Sequence, residues 1–450
     1  MADMKATLAA DTAPWPSRTA AWYALIVIVF ATFLNFFDAS AFGLLIELIK
    51  GEFHLTNIQL CWLTGPANII FYLVVMLPLS RMVDIYPRRI VLAAGMFFVT
   101  IFNATSGFAM GFVSLFALRM FVGAGGSAHA PGAYSLLSDS FRPEKRALPF
   151  SVLQLGFILA TSLGFLIAGR LFGWVLTFPA IQIGLVNVHG WRWLLLILAV
   201  PGFIAALLLL LIKEPARRGT IGQGDPLPFK TVIDEVWRRR GVYGPLFISL
   251  AFGAMHALAL PAWLTPLFKR NYGWTEMQIG GYLAPILFAG NMAGLFIGPI
   301  FVNYLAKTRN DANILATAIC LTIAVPFSIM APLMPNGILA LVCMAVVGAM
   351  GIAGAPPQNM AIQLITPNEM RGQVTGLYLM MFTAFGAIGP LLVGTFVDKI
   401  FGHDTDVWKA LVLLACLLAP LSAFFMWRAV KPYGAEVARL DALSVSPSIH

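Results

Sequence analysis

The sequence predicts an all-α polytopic membrane protein of twelve spans arranged in two related six-helix halves. Three observations carry this. Uncharged apolar runs of membrane length recur along the chain, Lys and Arg gather on one side of them, and the second half repeats landmarks of the first at a near-constant offset. Of the 450 residues, 59% are hydrophobic and 11% charged, whereas a soluble chain carries about 25% charged residues. The runs do not alternate apolar with polar, as the strands of a transmembrane β-barrel would.

Taken in order, the spans fall at about 22–46, 59–79, 90–110, 112–138, 148–174, 191–212, 244–268, 277–303, 312–332, 337–363, 372–398 and 408–428. Each meets the length of about 20 apolar residues that a bilayer core of about 30 Å demands. The uncharged run 312–368 is too long for one span, and "APLMPNG" (331–337) divides it with turn-forming residues. The tail 1–21 is polar, and the run after it is too long for a signal peptide, so span one is expected to be retained. The sequence thus divides into tail 1–21, bundle 22–212, linker 213–243, bundle 244–430 and tail 431–450. Within the linker, "FKTVIDEVWRRR" has apolar residues at helical spacing and a basic end, as a helix lying on the cytoplasmic membrane surface would.

Most of the 29 Lys and Arg residues fall on one side if both termini are cytoplasmic. Six lie near the outer side (Lys50, Arg192, Lys269, Arg270, Lys399 and Lys409), and Arg119 and Arg170 lie within spans. This is the positive-inside bias. It accounts for the formal charge of +9 without a nucleic-acid partner. The four cysteines, Cys61, Cys320, Cys343 and Cys416, are scattered within spans and form neither a disulfide framework nor a metal site.

The halves repeat one design. "LTNIQ" (55–59) aligns with "WTEMQ" (274–278), and the same offset carries Lys50 to Lys269, Asp84 to Asn303 and Arg88 to Lys307. After a six-residue insertion, Pro131 aligns with Pro356, Glu144 with Glu369, Arg146 with Arg371 and Gly164 with Gly389. Parallel repeats of this size build one large class of transporters.

Two motifs sharpen the reading. "SRMVDIYPRR" (80–89), between spans two and three, resembles the loop motif G-x-L-A-D-R-x-G-R-R of the major facilitator superfamily. Asp84, Arg88 and Arg89 match, while Ser80 and Pro87 stand in place of its glycines. "RMFVGAGGSAHAPGAYSLLSDSFRPEKRA" (119–147) resembles span four of the Spinster-like branch, with Arg119, Gly123, Gly125, Pro131, Asp139, Phe141 and Arg146 matching. "NFFD" (35–38) is similar to that branch's N-Y-x-D, and 367–394 to the start of its eleventh span. Two positions depart from it. Ala39 replaces an Arg and Gly126 replaces a Glu, so no role of either residue carries over. The resemblance implies the major facilitator fold and a cytoplasmic gate. In that gate Asp84 faces the N-terminus of span eleven, around Arg371 to Gln373, where a helix dipole favours a carboxylate; an Arg of the motif, Arg88 or Arg89, meets an acid at the cytoplasmic end of span four, where Asp139 stands; and Arg146 belongs to the same gate. Asn303 and Thr308 replace Asp84 and Arg89 in the second half, so a weaker latch is expected there.

Asp38 is the one formal charge between Trp22 and Ile46, in surroundings that penalise it by a few kcal/mol. It lies roughly 12 Å from the outer end of span one, and Arg119 roughly 10 Å from the outer start of span four, at about 1.5 Å per residue. The two share one level. The resemblance places spans one and four on a central cavity, so Asp38 and Arg119 are expected to face each other there, as a pair or across water, and to carry the coupling proton. A purely structural buried pair is the alternative.

His129, just before Pro131, and His256 in span seven lie deeper and are candidates to line the cavity; His129 could equally satisfy a backbone group freed by a kink. Asn35, Asn68, Gln154, Asn291, Gln358, Asn359 and Tyr378 are further candidates, and each could instead make a helix–helix hydrogen bond. No His, Cys or carboxylate spacing suits a metal, and no nucleophile–base set or phosphate loop points to an enzyme. With few interior charges but 35 Phe and 19 Met, the expected cargo is an amphipathic or lysolipid-like small molecule. It would be moved by alternating access with a proton as the coupling ion and no other cofactor. The protein is expected to be a monomer in a bacterial inner membrane. Proton-coupled uptake of a small organic anion held by Arg119 is the alternative, and a non-transporting membrane sensor the second.

Overall fold

The computed structural model describes residues 15–142, 145–184, 186–217, 229–367 and 370–445, without the side chains of 77, 80, 84, 147, 229, 371, 372 and 441–445. Eleven helices among these are long and apolar enough to cross a membrane. The remaining predicted span, the fourth, is divided. It runs as α5 (Phe112–Gly126) and α6 (His129–Ser140), parted at Ser127–Ala128 just before Pro131, whose missing N–H and ring bulk disfavour a continuous helix. The first half otherwise comprises α1 (Arg18–Phe53), α2 (Asn57–Thr64), α3 (Pro66–Ile85), α4 (Arg88–Ser106), α7 (Ala147–Val175), an antiparallel hairpin of β1 (Ile181–Ile183) and β2 (Val186–Val188), and α8 (Trp191–Leu210). The second comprises α9 (Phe229–Arg238), α10 (Arg240–Tyr272), α11 (Glu276–Ala306), α12 (Ala312–Met330), α13 (Gly337–Ile365), α14 (Arg371–Gly386), α15 (Ile388–Thr395) and α16 (Val407–Val445).

Two compact units emerge, residues 1–224 with 274–284 and residues 225–273 with 285–450. The start of α11, expected in the C-terminal bundle, therefore clusters with the first unit. Glycines permit it, because a Cβ on Gly280 would overlap the Phe165 carbonyl and one on Gly169 would crowd Glu276.

The pairing scheme is the same in each unit. In the first, α1 packs on α7 and α8, α4 on α5 and α8, and α3 on α5. In the second, α10 packs on α14, α15 and α16, and α12 on α13 and α16. The counterpart of the α3–α5 seam is a stripe of Gly290, Gly294 and Gly298 on α11, each set against the backbone of Ala345, Ala349 or Ala353 of α13. Backbones can approach this closely only where side chains are small. The aligned pentapeptides form the same local structure. Thr56 and Gln59 build a capping box, and Thr275 and Gln278 exchange the same backbone and side-chain bonds. A Thr hydroxyl and a Gln amide three residues on satisfy N–H groups that the first turn leaves orphaned.

Large apolar side chains such as Val74, Val113, Leu207 and Ile300 are exposed along the spans, as a lipid-facing surface requires. Several helices outrun their predicted spans. Helix α16 continues beyond the predicted end at 428 as far as Val445, because the apolar signal stops at the bilayer edge while good helix formers such as Ala, Glu, Arg and Leu carry on. Tyr433 sits in the core of the second unit, and Glu436 accepts from Arg239 at 2.9 Å. The linker helix docks through Val232 into that same core, leaving Ile233 and Trp237 exposed.

Candidate functional site

Asp38 and Arg119 meet inside the first unit. Arg119 Nη1 donates to Asp38 Oδ2 at 2.8 Å. Its Nη2 donates to Asn103 Oδ1 of α4 at 3.2 Å, and its guanidinium carbon lies 3.6 Å from the centroid of Phe42, one turn after Asp38 on α1. Cation–π attraction strengthens as water is removed, and Arg119 is 0% and Asp38 7% exposed. Asp38 Oδ1 and Arg119 Nε lack hydrogen-bond partners. The acid therefore keeps one oxygen uncommitted while its other oxygen holds the only cation of the cluster. Asn103 and Phe42 escaped the sequence reading. An Asn inside span three and an aromatic four residues after the acid were the available signals.

Nearer the N-terminus of α1, that helix meets α6 through His129 Nε2 and Thr32 Oγ1, 2.7 Å apart. The histidine does not serve a backbone group freed near Pro131. It lines a cavity with Thr32 and Gln154. Asn35 approaches Gly126, where a Cβ would sit 3.3 Å from its Oδ1. Asn68 Oδ1 is buried without a partner, and its own carbonyl abuts Gly123.

In the second unit, His256 and Gln358 are buried, each with an Nε2 lacking a partner. Asn291 faces Gly348, where a Cβ would stand 2.9 Å from its Oδ1. One candidate does not serve as expected. Tyr378 belongs to the hydrophobic core of the unit, a matter of helix rotation that an all-apolar span does not announce. Asn359 is half-buried and accepts from Gln363 of its own helix at 3.2 Å.

Three of the predicted gate residues, Arg88, Arg89 and Asp139, gather in the first unit where α3 and α6 end, α4 begins and the chain leaves α8. Of the motif's two arginines it is Arg88, 1% exposed, that bonds Asp139. It also donates from Nε to Glu214 Oε1 at 2.8 Å, and to Ser135 and the Pro215 carbonyl. Glu214, which the sequence reading missed, receives the backbone N–H of Arg88 at 3.1 Å and of Arg89 at 3.0 Å. A carboxylate over the first turn of α4 satisfies orphan donors and complements the helix dipole. Arg89 donates to the Leu210 and Ile212 carbonyls at the end of α8. Arg146 turns back to the Phe141 carbonyl at 3.1 Å, closing its own loop rather than joining the cluster. The side chains of Asp84 and Arg371 lie outside the described residues, so their predicted contact is not described.

At the opposite end, Arg192 holds the unit together. Its Nη1 donates to the Gly107 and Ala109 carbonyls, each at 2.7 Å, and its Nη2 to Glu52 Oε1 at 2.7 Å. Glu52 also accepts from Trp191 Nε1. Among the described residues, no cluster of His, Cys, Asp and Glu suits a metal ion.

Comparison with known proteins agrees with this architecture. A family profile described as Major Facilitator Superfamily matches residues 28–390. An MFS-type efflux pump of Mycolicibacterium smegmatis is 23% identical over 97% of this chain and 99% of its own. Protein spinster of Drosophila melanogaster is 22% identical over 85% of this chain, which spans 63% of the fly protein. A probable L-galactonate transporter of Escherichia coli is 23% identical over 63% of this chain and 62% of its own. Among solved structures, a bacterial homolog of the human lysosomal transporter Spinster superposes with a TM-score of 0.74 at 21% identity, covering 96% of this chain and all of the other.

Proposed function

This chain belongs to the Major Facilitator Superfamily, and we propose that, as a secondary transporter of that superfamily, it moves an amphipathic or lysolipid-like small molecule by alternating access, driven by protons through Asp38 and Arg119. One observation carries the coupling, the buried pair in which Asp38 holds Arg119 through Oδ2 while Oδ1 stays uncommitted. A proton arriving on Oδ1 neutralises the acid and weakens its hold on the guanidinium. The freed cation then falls back on Asn103 and Phe42, which already touch it. Loss of the proton re-forms the pair. An acid that changes charge inside a water-poor interior is the kind of relay found in pumps and transporters.

The amphipathic cargo is favoured over an organic anion by the state of Arg119. Its guanidinium is fully buried and engaged by Asp38, Asn103 and Phe42, so a substrate carboxylate would have to displace Asp38. The anion reading draws on relatives named as L-galactonate and 4-hydroxybenzoate transporters. We assign the protein to a bacterial inner membrane with both termini cytoplasmic, as a monomer. In this assignment Asp84, Arg88, Arg89 and Asp139 belong to a cytoplasmic gate that opens and closes with each cycle.

The test is proton movement in vesicles containing the purified protein and an internal pH dye. Lysolipids and aromatic organic acids are added in turn under an imposed pH gradient. Proton flux that depends on the lysolipid, and is abolished in Asp38→Asn and Arg119→Ala while both variants stay folded, is the expected result. Full flux in either variant removes the coupling assignment. Flux with the organic acids alone transfers the reading to anion uptake, and no substrate-dependent flux at all leaves the sensor reading.

A further inference from the structure

A cavity of about 210 Å³ opens in the first unit between α1, α6 and α7. Phe36, Tyr134 and Phe157 form much of its wall, and its polar groups are Thr32, His129 and Gln154. The walls are held by ring packing. Phe36 meets Phe157 edge-to-face at 4.6 Å, and Tyr134 stacks on Phe150 at 5.6 Å. Cavities of about 150 Å³ admit benzene, and drug-sized ligands need about 300 Å³ or more. This one therefore fits a single ring, or a short apolar segment, bearing one small polar group. It suits one end of a longer molecule.

The geometry lets the Thr32 hydroxyl give its one proton to the Ile28 carbonyl at 2.8 Å, the usual back-bond of a helical Thr. In that arrangement its oxygen accepts across the 2.7 Å contact with His129, and Nε2 carries the N–H. In the neutral ring Nδ1 is a bare acceptor. No described residue donates to it, and it is not among the buried polar atoms sealed without a partner. The nearest buried cation on the same span, Arg119, lies ten residues away, roughly 15 Å at 1.5 Å per residue, and is committed to Asp38.

We propose that this cavity is the subsite for the polar end of the transported molecule, and that His129 Nδ1 makes it select hydrogen-bond donors, alcohols or amines, over carboxylates. The inference rests on the transport reading above and narrows its substrate class. A carboxylate oxygen brought to Nδ1 opposes lone pair to lone pair, and the described residues lining the cavity include no Lys or Arg to relieve it, whereas an O–H or N–H completes the acceptor. Thr32 acts as a positioning residue, because it fixes which ring nitrogen is free.

The experiment uses the intact protein in lipid nanodiscs, labelled with ¹⁵N-histidine. The probes are benzyl alcohol, benzylamine, toluene and benzoate, read on the His129 Nδ1 resonance that His129→Gln identifies among the six histidines. Benzyl alcohol and benzylamine should move that resonance and bind about tenfold more tightly than toluene, equivalent to about 1.4 kcal/mol. His129→Phe should erase the preference and keep toluene binding. Thr32→Val, which lets the proton settle on either nitrogen, should shrink the preference while leaving toluene unaffected, a split that a merely structural Thr would not produce. Benzoate binding more tightly than benzyl alcohol overturns the proposal. So do a protonated Nδ1 in the unliganded protein, an undiminished preference in His129→Phe, and failure of all four probes to perturb His129. Since the readout is binding, selectivity that fails while Asp38-dependent proton flux persists removes this inference alone. Absent flux with intact selectivity removes the transport reading instead.

Discussion

Replacing Asp38 and Arg119 singly and together separates a pair kept for stability from one kept for coupling. Asp38→Leu leaves a guanidinium that is 0% exposed without its counter-ion. Removing one partner of a buried ion pair costs about 3–5 kcal/mol. Arg119 retains the Asn103 bond and the Phe42 face, which places the expected loss at the lower end, about 3 kcal/mol. For a unit of this size each kcal/mol lowers the melting temperature by about 2–4 °C, so a fall of about 10 °C is expected. Asp38→Leu with Arg119→Met replaces the pair by packed apolar groups, which is often neutral or stabilising. The double variant should therefore regain most of the lost melting temperature and still show no proton-driven transport. The assay is thermal unfolding of detergent-solubilised protein beside proton flux in vesicles. A double variant no more stable than the single one would refute the buried-pair energetics, and a double variant that still couples protons would refute the mechanism.

Other regions of the first unit give further tests. Glu214→Ala takes the acceptor from the backbone N–H groups of Arg88 and Arg89, and losing such a cap costs about 1–2 kcal/mol; a melting temperature unchanged from wild type would contradict that role. Gly123→Ala drives a Cβ into the Asn68 carbonyl, whereas Gly43→Ala meets nothing within 4 Å. The first should lose about 1–3 kcal/mol by overpacking and the second should melt within a degree or two of wild type, and equal stabilities would show that the seam has slack. Asp84→Asn should shift the resting population toward the inward-facing state, raising labelling of cysteines placed on the cytoplasmic side and lowering it on the outer side. Unchanged labelling at both faces would remove Asp84 from the gate.

Much of the architecture can be read without coordinates because its causes are local. A helix must satisfy its own backbone in lipid, so apolar runs alone place the spans, and Thr-x-x-Gln caps recur where the repeat aligns them. Depth is readable too, since each residue advances a helix by about 1.5 Å; this is why Asp38 and Arg119 could be set at one level before their 2.8 Å bond was seen. The partners of that pair were harder. Asn103 and Phe42 sit in spans whose residues are apolar nearly all round, where no amphipathic stripe tells which side faces inward. The same ambiguity made Tyr378 a cavity candidate when it lies in a core.

By itself, then, the sequence determined the number and order of the spans, the twofold repeat, and the levels at which its rare polar residues lie. Those quantities depend on distance along a chain whose rise per residue is constant. Tertiary structure alone decided how each helix is rotated, and with it every contact between distant segments. Glu214 reaches back across 126 residues to cap α4, Thr32 meets His129 across 97 residues, and Val232 inserts the linker helix into a core. The physical reason is that lipid rewards any apolar face equally, so only close packing against neighbouring helices selects one.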